Sequence, residues 1–439
     1  MIDSHELRRR DSYLNKLIGF QDTEPVKVIT GIRRCGKSSL LKLMVQHLKD
    51  TGVLPEQIIE MNFESFDFHK MSADDVYRYV KERIITGKRM YLFFDELQRI
   101  KAWEDAVNAF RVDFDCDIYV TGSNAYLLSS EYATYLSGRC VEIKMLPLSF
   151  REFLDFHGFD VRETQSAFGG LRKQVFDKNN ERYELREVFA AYMRFGGMPG
   201  IADVGLEQEK VLALLDGIYS TVVIRDILER ETRRGQKQIT DPALLRKIIL
   251  FLADNIGSSV SIASIGNTLV NEGLWDDGKR KGTPSAHTVQ AYVNALLESY
   301  FFYEIKRFDI KGKAYLRTLG KYYIVDIGLR NYLLGFRNRD SGHAIENVVY
   351  FELLRRGYDV AIGKIGNGEV DFIATTADEK KYIQVTESMM SEDVRKRELA
   401  PLQSIRDNYE KIVLSLEPGL DTSYDGIKSE NLIDWLLNE

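Results

Sequence analysis

At 439 residues the chain is long enough for roughly two to four domains, and its 44% hydrophobic fraction, 29% charge and eight prolines exclude a disordered or fibrous protein. Sixty Lys and Arg against 66 Asp and Glu leave a net charge of −6, which excludes a surface positive throughout but not a local basic patch. Cys35, Cys116 and Cys140 lack CxxC spacing, the start carries no apolar leader, and no run approaches ~18 apolar residues, so the expected setting is the reducing cytosol, away from membranes.

Up to about residue 150 short apolar strands alternate with amphipathic helices, the pattern of an open parallel sheet covered on both faces. The predicted strands are Val26 to Thr30, Ile58 to Phe63, Met90 to Phe94, Asp117 to Thr121 and Val141 to Met145. After the first comes Gly31-Ile-Arg-Arg-Cys-Gly-Lys-Ser38, which fits G-x-x-x-x-G-K-[ST] at every fixed position, then a helix with Leu40, Leu41, Met44, Val45 and Leu48 at helical spacing. Strand, loop and helix in that order make a phosphate cradle. Gly31 and Gly36 let amides turn inward at the positive end of the helix, Lys37 reaches the β- and γ-phosphates, the Ser38 hydroxyl is a Mg2+ ligand and Ser39 a contact to the α-phosphate. ATP and Mg2+ are the expected ligands.

The strand Met90-Tyr-Leu-Phe-Phe ends in Asp95-Glu96, at the edge of a parallel sheet where ligands bind. Asp95 is expected to hold Mg2+ through water and Glu96 to act as general base on the attacking water, a pairing that favours hydrolysis by an additional-strand ATPase over a GTPase. Asp117-Ile-Tyr-Val-Thr-Gly-Ser-Asn124 ends in small polar residues suited to sensing the γ-phosphate, with Asn124 the first choice and Ser123 its rival. Arg139 is a candidate finger that neutralises transition-state charge, in its own chain or a neighbour's, with a structural salt bridge as the alternative.

Beyond Pro147 the pattern turns helical, starting at a capping box of Ser149 and Glu152, and residues 151–240 read as a helical lid on a core of residues 1–150. Within 241–335, helices Leu244 to Ala253, Ile262 to Leu269 and Thr288 to Ser299 precede a strand pair, Tyr300 to Phe308 and Ala314 to Thr318, which together fit a winged helix. The basic residues Lys279, Arg280, Lys281, Lys306, Arg307, Lys311, Lys313 and Arg317 suit phosphate contacts to DNA, or else a solvated surface. Residues 336–439 read as α+β, with a helix Gly342 to Gly357 and strands Val360 to Lys364, Glu369 to Ala374 and Tyr382 to Thr386.

Gly-Ile-Arg-Arg-Cys-Gly-Lys-Ser-Ser-Leu, Phe-Phe-Asp-Glu-Leu-Gln, Thr-Gly-Ser-Asn, Leu-Ser-Gly-Arg and Leu-Pro-Leu-Ser-Phe-Arg-Glu-Phe together resemble the prokaryotic AAA-type ATPases that carry a C-terminal domain of uncharacterised function. The resemblance implies a fold of the α/β class, a P-loop parallel sheet with lid, winged helix and restriction-endonuclease-like terminal domain. It also implies nucleotide contacts from Pro199 in Gly197-Met-Pro199 and from the loop arginines Arg33 and Arg34. Of the nuclease acids, Glu346 and Asp371 match, but the third place reads Gln384-Val-Thr386, and Glu387 is expected on the opposite strand face, so this site is expected to be degenerate and inactive. The function expected is Mg2+-dependent ATP hydrolysis that moves lid and winged helix and alters contacts to DNA or a protein partner, with homo-oligomerisation open. The alternatives are a nucleotide switch with negligible turnover and an ATP-driven nuclease.

Overall fold

A computed structural model describes residues 7–438 except 124, 126–137, 166–170, 230–238, 240, 272–284, 316–318, 338–340, 367 and 418–421. The chain forms two compact units, Met1–Leu146 with Glu298–Tyr300, and Pro147–Leu297 with Phe301–Glu439.

In the first unit, β1 (Val26–Thr30), β2 (Ile58–Asn62), β3 (Met90–Asp95), β4 (Cys116–Gly122) and β5 (Cys140–Lys144) form a sheet in the order β2-β3-β4-β1-β5. Every pairing is parallel. All residues of β1 and β3 are buried, as strands covered on both faces must be, which explains their unbroken apolar runs. One core packs Val28, Leu92 and Phe94 with Trp103 and Phe110 of α4 (Trp103–Asp113) and Val76 and Val80 of α3 (Ala73–Lys81), while α2 (Lys37–Asp50) packs on β3 and β4 and α1 (Asp11–Gly19) packs on α2 and β5. The order inserts β4 between β1 and β3, so that the ends of three strands share one crevice.

A buried ion pair ties β1 to β4. Lys27 and Asp117 have fully buried side chains, and Asp117 also accepts hydrogen bonds from the Tyr119 hydroxyl (2.9 Å) and the Asp22 amide (2.8 Å). Those extra donors offset the cost of removing both charges from water.

In the second unit the helix Phe150–His157 starts at the expected box, with Ser149 Oγ accepting from the Glu152 amide and Glu152 Oε2 from the Ser149 amide. The all-helical lid needs correction, because Asp160–Gln165, Leu171–Phe176 and Arg182–Tyr183 form an antiparallel sheet before the helices resume at Leu185–Phe195. Much of the first strand faces water, so its polar sequence shows little of the apolar alternation by which strands are recognised.

Helix Pro242–Asp254, strand Ser259–Val260, helices Ile262–Asn271 and Ala286–Glu298, and strands Phe302–Ile305 and Gly320–Ile324 follow in that order. The three strands make an antiparallel sheet in which Gly320–Ile324 is central. The expected ribbon is therefore paired differently. Phe302–Ile305 takes Gly320–Ile324 as partner, while Arg307–Asp309 pairs with Ala314–Tyr315 and, in parallel, with Asp359–Ile365. Exposed Lys306 marks the break where the chain leaves one sheet for the other. The terminal part has the helix Ser341–Arg355 and an eight-stranded mixed sheet whose middle strands, Asp359–Ile365, Gly368–Thr375 and Lys380–Ser388, are antiparallel.

Candidate functional site

The loop after β1 is shaped by close backbone approach. At Gly31, φ is +143°, and a Cβ would lie 2.1 Å from the Met145 carbonyl oxygen, so no other residue fits there without movement. Gly36 is left-handed at φ +106° and leads into α2, whose first amides are left for a ligand. Lys37 is 4% exposed and donates to the carbonyls of Gly31 (2.9 Å) and Ile32 (3.1 Å), which holds its ammonium within the loop. From α1's N-terminal side, buried Arg10 donates to the carbonyls of Cys35 (3.0 Å) and Leu146 (2.9 Å) and so braces the loop from behind. Within the run Arg8-Arg9-Arg10 no local signal marks the last as the one that turns inward.

At the end of β3, Asp95 is 7% exposed. Its Oδ1 accepts from Thr121 Oγ1 (2.5 Å) and its Oδ2 from Asn62 Nδ2 (3.0 Å), and the Ser38 hydroxyl also donates to it. Burial pushes its carboxyl above the usual range, opposed by the Thr121 and Ser38 hydrogen bonds and by the nearby Lys37 charge. Asn62 and Thr121 escaped the sequence reading because only the strand order brings their side chains to Asp95. A buried carboxylate beside a serine hydroxyl is a hard oxygen donor set, which suits Mg2+.

Glu96 is equally buried and left-handed, at φ +57°. Its amide donates to Thr121 Oγ1 (2.9 Å), and its Oε2 accepts from Gln98 Nε2 (2.6 Å) and Ser123 Oγ (3.3 Å). One threonine hydroxyl thus orients both acids, and Ser123 reaches the second of them.

Other expected residues fall elsewhere. Arg33 donates to Glu64 Oε1 (3.0 Å), an atom it shares with Arg99 (2.6 Å), so its guanidinium is committed to a carboxylate rather than left facing the loop. Arg34 is exposed at φ +65°, and Ser39 is exposed on the first turn of α2. Asn124 lies outside the described residues. Arg139 is exposed, and its carbonyl accepts from the Val26 amide, which sets it at the start of β1, roughly 16 Å along the strand from Gly31. Within one chain it does not reach the loop, and among the described residues it makes no ion pair.

Pro199 belongs to the second unit. There the Gly197 amide donates to Asp326 Oδ2 (2.6 Å) and its carbonyl accepts from the Leu148 amide (2.7 Å), while a Cβ on Gly196 would lie 2.2 Å from Asp326 Oδ1. Asp326 is fully enclosed, and burial pushes its carboxyl up to about 6 against the pull of amides from Gly197, Leu329 and Gly328.

Glu346, Asp371 and Gln384 border one cleft of about 600 Å3 in the terminal part, with Gln384 buried and Glu387 exposed at its margin. Gln384 donates to Glu398 Oε2 (2.9 Å), and Asp371 Oδ2 accepts from the Val385 amide (2.9 Å). Burial, then the Glu346 charge, push the Asp371 carboxyl well up. Lys321, from a strand some distance back in sequence, lies 2.7 Å from Glu369 and 3.8 Å from Glu346, and no local signal connects it with this cleft.

A family described as an AAA domain matches residues 23–154, and one described as a domain of unknown function matches residues 186–340. An uncharacterised protein of Haemophilus influenzae is 39% identical over 98% of both chains. An uncharacterised protein of Methanocaldococcus jannaschii is 30% identical over 95% of this chain and 85% of its own. Among solved structures, the Aeropyrum pernix ORC1 protein in complex with DNA has a TM-score of 0.32 at 13% identity, covering 76% of this chain and 94% of that one. AMPPCP-bound DnaA from Aquifex aeolicus has a TM-score of 0.26 at 15% identity, covering 64% and 91%.

Proposed function

The chain belongs to the family of AAA-domain proteins that includes these uncharacterised relatives from Haemophilus influenzae and Methanocaldococcus jannaschii, and we propose that it is a Mg2+-dependent ATPase. The observation that carries this reading is the joint anchoring of Asp95 and Glu96 by Thr121 beside the loop of Lys37 and Ser38. Ser38 and Asp95 are the residues that would hold Mg2+, which when bound neutralises charge on the phosphates. Lys37 leaves its two loop carbonyls for phosphate oxygens, and Glu96 takes the proton of the attacking water. A release assay tests this: phosphate should appear from ATP only with Mg2+, and Lys37→Ala and Glu96→Gln should each abolish it. Wild-type release no greater than that of Lys37→Ala sinks the hydrolytic reading.

Within the proposal, nucleotide state moves the parts beyond residue 150, and the segment from Pro242 to Ile324 is a winged helix that contacts DNA or a protein partner in the cytosol. Its helix, strand, helix, helix, strand, strand order supports that reading. Arg139 acts only across a homo-oligomer, because β1 separates it from its own loop. The terminal part is a nuclease-like fold used for binding, supported by Gln384 spending its amide on Glu398 and by Lys321 neutralising Glu346 and Glu369. Turnover measured with and without duplex DNA, with the mass in ATP and in ADP, tests the partner and oligomer parts together.

A further inference from the structure

Gln98 follows Glu96 by two residues in the short 3-10 turn Leu97–Arg99 that closes the end of β3. A carboxylate can only accept hydrogen bonds, so the Gln98 amide must present its N–H to Glu96, as it does with Nε2 2.6 Å from Glu96 Oε2. That orientation sends the amide oxygen the other way, and Gln98 Oε1 is buried without a hydrogen-bond partner. Leaving such an acceptor dry is costly, so something with a proton to give is expected beside it. Glu96 Oε2 accepts from both Gln98 and Ser123, which leaves the second carboxylate oxygen, Oε1, to which no described residue donates. A small molecule with two donor hydrogens can serve the orphaned amide oxygen and the remaining carboxylate oxygen together, and water is such a molecule.

We propose that Gln98 is a water-positioning residue, its Oε1 and Glu96 Oε1 together accepting the two hydrogens of the attacking water. This rests on the hydrolytic reading above and specifies how its base is aimed. Both hydrogens held by acceptors leave the water's lone pairs turned toward the γ-phosphorus. As the new O–P bond forms and the bond from phosphorus to the bridging oxygen of ADP breaks, one proton passes to Glu96 Oε1, and the other stays on the phosphate oxygen that was the water. The proton on Glu96 then passes to the released phosphate. Gln98 neither gains nor loses a proton; it fixes Glu96 through Nε2 and the water through Oε1.

The test uses the full chain with Gln98→Ala, Gln98→Met, which keeps length without polarity, and Ser123→Ala. For both Gln98 variants kcat should fall on the order of tenfold to a hundredfold, the size of a lost acid-base or orientation effect, with KM for ATP and the affinity for a fluorescent ADP unchanged. Trapping of ADP with aluminium fluoride, which mimics the state containing the aligned water, should weaken in parallel. Gln98→Ala combined with Glu96→Gln should be no slower than Glu96→Gln alone, because both act on the same water. Wild-type turnover with Gln98→Met at full kcat and normal trapping overturns the inference while leaving the ATPase reading intact. A variant that loses ADP affinity together with kcat overturns it too, in favour of a merely structural role. No wild-type turnover above Lys37→Ala removes the hydrolytic reading and this inference with it.

Discussion

Thr121→Val isolates the hydroxyl that joins the two acids. Valine keeps the shape of threonine, so little packing is lost, yet two hydrogen bonds vanish at once: the donor to Asp95 Oδ1 at 2.5 Å and the acceptor for the Glu96 amide at 2.9 Å. A hydrogen bond to a charged group contributes about 1.5–3 kcal/mol, and an amide left buried and unpaired costs about 1–3 kcal/mol. Since the two share one oxygen and the site relaxes in part, a loss of about 2–4 kcal/mol is expected rather than the sum. The effect should depend on pH. Burial already raises the Asp95 carboxyl, so the folded state holds that proton more tightly than the unfolded chain and stability falls as pH rises between the two values. Removing the Thr121 donor raises it further, which makes the loss larger at pH 8 than at pH 4. Urea unfolding of the wild type, Thr121→Val and Thr121→Ser at the two pH values measures this, with serine restoring most of the stability. A valine variant as stable as wild type at pH 8 would refute the view that this hydroxyl anchors the site.

Lys27→Met leaves Asp117 buried without its ion partner and should cost about 3–5 kcal/mol, whereas Lys27→Met with Asp117→Leu should recover much of that, as read by thermal unfolding. Gly31→Ala drives a Cβ toward the Met145 carbonyl 2.1 Å away, so a stability loss of about 1–3 kcal/mol and weaker ADP binding are expected by fluorescence titration. Asp326, at about 6 in the fold against ~3.9 unfolded, should make stability fall by about 2 kcal/mol as pH rises from 4 to 6. Asp326→Asn should flatten that slope in urea midpoints measured across the interval.

The strand, loop and helix around Gly31 to Ser38 and the strand ending at Asp95 were legible in the chain itself, because fully buried parallel strands need unbroken apolar runs and a phosphate loop needs glycines at set spacing. The Ser149 cap was legible for the same local reason. The sheet at residues 160–183 was not, since its exposed strands carry no apolar alternation. Nor was the exchange of sheets at Lys306, which depends on Asp359–Ile365 more than fifty residues later.

Local sequence thus determined which residues are the candidates for holding phosphate and metal, since spacing within one loop or one strand end is a short-range property. Tertiary structure alone decided who supports them: Asn62 meets Asp95 because β2 flanks β3 on one side, and Thr121 and Ser123 meet the acids because β4 flanks it on the other. It also separated Arg139 from the loop by the length of β1, and brought Lys321 to Glu346 and Glu369 from another strand. The physical reason is that hydrogen bonds and ion pairs act over a few ångströms, while the residues making them are joined by strand order rather than by spacing along the chain.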